Sequence, residues 1–86
     1  MKKYLLDFHF PPGADSAAIR SLIPAEQAEV ARLRAAGTLE AIYLAEGLQR
    51  GWIVFNVAGP EELAEAIKSL PLHSFMKFET TPLYAP

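Results

Sequence analysis

The chain has 86 residues, 51% of them hydrophobic, and its eight Lys or Arg against ten Asp or Glu give a net charge of −2. That length makes one domain, spanning residues 1–86, with one core; the lack of cysteine excludes a disulfide scaffold, a thiol nucleophile and a thiolate metal site. With no basic run, little counterion release from phosphates is on offer, so nucleic acid is not an expected partner. No apolar stretch approaches the roughly 20 residues that span a bilayer, so no membrane partner is expected either. Basic Met1-Lys2-Lys3 is soon followed by Asp7 and His9, which argues against a signal peptide and fits a cytoplasmic protein. A chain this short buries only roughly 60–65% of its unfolded surface. Its excess of apolar residues therefore points to burial between subunits, in a homo-oligomer that is a dimer or larger.

Lys2 to Phe10 alternates as a strand, with Tyr4, Leu6, Phe8 and Phe10 on the core face and Lys3, Leu5, Asp7 and His9 on the other. Pro11-Pro12-Gly13 ends it. Asp15 or Ser16 caps a short turn over residues 17–23. Proline suits a first helical position, so the main first helix is predicted to start at Pro24 and end near Ala36, with Gly37 as its C-terminal cap. Val30 and Leu33 mark its apolar stripe. Thr38 to Glu46 is a second strand, Gly47 to Gly51 a turn, and Trp52 to Ala58 the strongest strand in the chain. In that strand Ile53, Phe55 and Val57 face one way, and Trp52, Val54 and Asn56 the other. Gly59-Pro60 opens a second helix whose Glu61 and Glu62 answer the helix dipole. Its Leu63, Ile67 and Leu70 form one buried stripe. Pro71 stops it, and Ser74 to Tyr84 is predicted as a last strand, irregular or at an edge near Pro82.

The order is β-α-β-β-α-β, an α+β ferredoxin-like arrangement: a four-stranded antiparallel sheet with both helices on one face. The uncovered face is expected to carry Leu5, Tyr43, Trp52, Val54 and Phe75. A second sheet or a ligand cavity should cover it.

Arg34-Ala35-Ala36-Gly37-Thr38, Val54-Phe55-Asn56-Val57, and Leu70-Pro71-Leu72 followed by Phe75-Met76 together resemble the muconolactone isomerase family. The resemblance covers residues 26–83. It implies a dimeric α+β barrel, no metal or organic cofactor, and a proton shift within an unsaturated lactone during aromatic-compound catabolism. The departures follow Thr38. Members of that family carry aromatic and basic residues in the second strand, whereas Leu39 to Glu46 keeps only Tyr43 and supplies no cation. For an anionic lactone, Lys77, Arg50 or a neighbouring subunit would have to provide one. A non-catalytic, small-ligand-binding oligomer of the same superfamily is therefore carried beside the isomerase, and a cofactor-free or heme-degrading oxygenase stands behind both by fold analogy.

Glu26 is the candidate base. It lies four residues before Val30 and seven before Leu33, on their apolar stripe, where lost water raises a carboxyl pKa. It also matches a glutamate of the family's first helix. His73, in the loop after the helix stop, is a second catalytic candidate. Asp7 and His9 project from one strand face and, with Tyr43, Trp52 and Phe75, are candidates for binding a small organic ligand or lactone. Two histidines and scattered carboxylates lack metal-ligand spacing, so no metal is expected.

Overall fold

The computed structural model describes residues 1–84; the last two residues of the expected domain lie outside them. The strands are β1 (Lys2–His9), β2 (Leu39–Leu44), β3 (Arg50–Val57) and β4 (Lys77–Leu83), and the helices α1 (Ser16–Ala35) and α2 (Pro60–Ser69). They follow one another as β-α-β-β-α-β and form one antiparallel sheet in the order β2-β3-β1-β4. This is the ferredoxin-like arrangement expected from the pattern of the chain.

Period-two alternation sets the facing of the central strands. Tyr4, Leu6 and Phe8 of β1 lie opposite Phe55, Ile53 and Gly51 of β3. All six are buried, and with Leu33 of α1 and Leu63, Ala66 and Ile67 of α2 they build the core. The helices contribute unequally. α2 brings a tight stripe, closed by fully buried Leu70, whereas α1 buries only Leu33. α1 is therefore anchored near its C-terminal end, and its N-terminal half stands off the sheet.

Several boundaries differ from the expectations, including β3, which begins at Arg50 rather than Trp52 and so takes Arg50 and Gly51 from the expected turn. α1 begins at Ser16 rather than Pro24, and Pro24 sits inside it. Asp15 supplies the cap that makes the early start possible, its Oδ1 accepting from Ala17 N–H at 3.1 Å and Ala18 N–H at 3.0 Å. Pro24 has no N–H for the Arg20 carbonyl, but it is exposed, so water can serve that carbonyl. The last strand begins at Lys77 rather than Ser74, because Phe75 N–H bonds to Leu72 O and Met76 N–H to His73 O, closing a single 3-10 turn. Phe75 is thus in that turn and not on the open sheet face; Met76 enters the core instead. β2 is shorter than expected and carries an irregularity between Leu39 and Ala41.

Gly51 is the tightest point of the sheet. A Cβ there would lie 2.6 Å from the Phe8 ring and 2.9 Å from the Leu44 side chain. The Phe8 ring lies over the space that only glycine leaves free. Gly51→Ala should therefore cost about 1–3 kcal/mol through overpacking, read from urea denaturation midpoints at unchanged slope. A loss below about 0.5 kcal/mol, the range of an ordinary surface change, would contradict this packing.

Candidate active site

The stand-off of α1 leaves a cavity of about 960 Å³ between that helix and the sheet. Its floor is Phe8, Ile42, Leu44 and Ile53, and its roof is the face of α1 that carries Ile19, Ile23, Glu26 and Val30. Leu72 and Met76 close the side beneath α2, and the loops around Pro12 and Leu48 form the rim.

Among the described residues Glu26 is the one carboxylate on this wall. Its Oε1 accepts the Leu72 N–H at 3.0 Å, a bond that joins α1 to the turn after α2. Loss of water on burial pushes its pKa above the ordinary value; the Leu72 N–H opposes this, Glu29 adds to it, and nearby His73 opposes it. Glu29, one turn on, behaves in the opposite way. Its hydrogen bond to Arg32 holds it down to about 2. Two carboxylates on one helix are thus driven apart, and the one facing the cavity is the better base.

The four arginines divide evenly. Arg32 pairs with Glu29 and Arg50 with Asp7, both on outer surfaces, while Arg20 and Arg34 make no ion pair among the described residues. Those two line the cavity. They are the cavity's two arginines, six residues before and eight residues after Glu26 on α1, and both are exposed to solvent. Breaking the helix at Pro24 hides this, because Arg20, Gln27 and Arg34 recur every seven residues and share a face only in one continuous helix.

The seven candidate residues fall into separate groups. Glu26 is in the cavity wall. His73 is beside it but not on the wall: its Nδ1 lies 3.0 Å from the Leu70 carbonyl, which can only accept, so Nδ1 carries the proton. Phe75, in the same turn, does not line the cavity. Asp7, His9, Tyr43 and Trp52 are on the far face of the sheet, as their alternation requires, and the structure does not bring them together with Glu26. There Asp7 holds Arg50 at 3.1 Å, and the Arg50 guanidinium lies 5.4 Å from the Trp52 ring centre. Lys77 and Arg50 are likewise on that face. Among the described residues no group of three or more His, Asp or Glu is placed to hold a metal, and no helix is long and apolar enough to cross a membrane.

Fold and site together define a ferredoxin-like α+β protein with one carboxylate and two arginines around an apolar cavity. Residues 4–86 match the family described as muconolactone delta-isomerase, and the chain belongs to that family. A crystal structure of muconolactone isomerase at 3.3 Å resolution superposes with a TM-score of 0.82 at 24% identity, covering 98% of this chain and 90% of that one. At that identity the likeness establishes the fold. A search of curated proteins returned no match.

The Leu72 amide should report Glu26 ionisation directly, because it donates to the titrating group. In a proton–nitrogen NMR titration its shift should move with a midpoint above the ordinary carboxylate value. A midpoint at or below that value would contradict the desolvated site. The sign for stability follows: with the folded pKa raised, the contribution of Glu26 is full below its unfolded pKa and is lost as pH rises through the folded one. Glu26→Gln, which keeps an acceptor for Leu72, should therefore be at least as stable as the parent at neutral pH.

Proposed function

We propose that this chain is an isomerase of the muconolactone type, shifting a proton within an unsaturated, carboxylate-bearing lactone without a metal or organic cofactor. The observation that carries this reading is Glu26, a carboxylate with raised pKa on the wall of an apolar cavity. The Leu72 N–H occupies Oε1 and leaves Oε2 for the substrate. The conjugated carbonyl of such a lactone acidifies a proton on the saturated carbon beyond its double bond, the γ position. Glu26 takes that proton, the electron pair moves toward the carbonyl oxygen, and the resulting carboxylic acid returns the proton to another carbon on the same face. One proton leaves and one is restored, so only the double bond has moved.

Arg20 and Arg34 supply positive charge for the substrate carboxylate and for the carbonyl oxygen as charge develops on it. His73 is a positioning residue in this scheme. Its ring and its backbone N–H both donate to the Leu70 carbonyl, which fixes the turn that presents the Leu72 N–H to Glu26.

Glu26→Gln should lower kcat for muconolactone about 10²–10⁴-fold, the usual cost of removing a general base. Turnover that survives the substitution would move the base elsewhere. A folded wild-type protein that binds the lactone without turning it over would replace this reading with the small-ligand-binding one.

The open sheet face supports self-association of this chain. Leu5, Trp52 and Val54 lie there half-buried, and Tyr43 is 66% exposed. Covering such a face stabilises by roughly 25 cal/mol per Å² of apolar area. Light scattering at micromolar concentration should give a multiple of 9.5 kDa; a monomer throughout would exclude this assembly.

A further inference from the structure

We infer that the preferred substrate is a lactone carboxylate extended by an apolar group, such as an aryl ring, that reaches from Glu26 toward the cavity rim at Leu48. The inference rests on the reading of Glu26 and the two arginines as the lactone site, and it names the substrate class of that site.

Size is the first observation. At about 960 Å³ the cavity is at the upper end of the roughly 300–1,000 Å³ that accommodates drug-sized ligands. A lone small lactone seated against Glu26 would leave most of it to water, against apolar walls that gain nothing from hydration.

The direction of the spare room is the second. Ile19 and Ile23 precede Glu26 on the cavity face of α1, so at 1.5 Å per residue the apolar roof runs about 10 Å from Glu26 to Ile19. The floor follows the same course. Phe10 N–H bonds to Gln49 O at 2.9 Å, which places Phe10 and the Leu48 loop together at the rim. A mainly apolar slot long enough for a second ring thus leads away from the base, with Arg20 beside Ile19 at its far end.

Leu48 is the third. It has φ 61°, the left-handed region that disfavours a side chain, and it is 65% exposed while lining the cavity. Glycine or asparagine would occupy this turn position at lower cost. Neither folding nor core packing rewards a leucine there. Contact with an apolar group emerging from the cavity does.

The test compares equilibrium binding of two saturated γ-lactone carboxylates, one unsubstituted and one bearing a phenyl group, by isothermal titration calorimetry. Neither can isomerise, so the result does not depend on turnover. The phenyl compound should bind about tenfold tighter or more. In Leu48→Gly, which relieves the backbone and so should still fold, that ratio should fall toward one. Equal or tighter binding of the unsubstituted lactone, no binding of either, or a ratio unchanged in Leu48→Gly would overturn the inference. Selective binding by a protein with no turnover on any unsaturated lactone would instead remove the isomerase reading and leave the ligand class in place.

Discussion

The hydrogen bond from Leu72 N–H to Glu26 Oε1 ties α1 to the turn after α2, one helical turn from a second tie between Glu29 of α1 and Ser69 at the end of α2. α2 is fixed to the sheet by its own buried stripe. α1 is fixed chiefly near its C-terminal end, where Leu33 is buried and Val30 packs against the core, while its earlier turns line the cavity. The Leu72 bond is a direct tie on those earlier turns to the turn after α2. A cavity opens on one side of it, and the same bond orients the carboxylate that the cavity would use. Burial raises the Glu26 pKa and the bond lowers it, and burial wins. The result is a base more basic than a surface glutamate, yet held at one oxygen.

Charge on the molecule follows the same division. Outside the cavity Arg32 and Arg50 are engaged by carboxylates, and such exposed pairs contribute little to stability. Arg20 and Arg34, next to the cavity, make no ion pair among the described residues. On the reading proposed above, pairing either with a neighbouring carboxylate would have cost the fold little and removed a charge from the lactone site. That contrast bears more directly on an anionic ligand than the net charge of −2 does.

Much of the fold was legible in the sequence because β1 and β3 are nearly pure alternations. Tyr4, Leu6, Phe8, Ile53, Phe55 and Val57 could face only one way, and the spacing of Leu63, Ile67 and Leu70 left α2 one orientation. Pro24 misled because proline suits a first helical position, so the turn that Asp15 caps was separated from the helix that it in fact opens two turns earlier. That error propagated to the site. With α1 cut at Pro24, Arg20 had no phase relation to Glu26, and the cations were sought on β4 and β3. Glu26 itself was legible, since its place on the Val30 and Leu33 stripe survives either start of the helix. Asp7, His9, Tyr43 and Trp52 were grouped correctly by face, but alternation says only which residues share a side. It does not say that the cavity belongs to the other side, where a weakly anchored helix leaves room. Phe75 lay beyond pattern reading, because a single 3-10 turn has no period to detect.

The central claim is that one desolvated carboxylate, Glu26, governs proton transfer. The most direct measurement is kcat/KM for muconolactone isomerisation as a function of pH, set beside the NMR titration of Glu26 in the same buffer. The base must be ionised to act, so activity should fall on the acid side through a single ionisation. Its midpoint should coincide with that of Glu26, raised from the ordinary glutamate value by burial. A profile that is flat across the Glu26 titration, or that turns at a clearly different pH, would contradict the account.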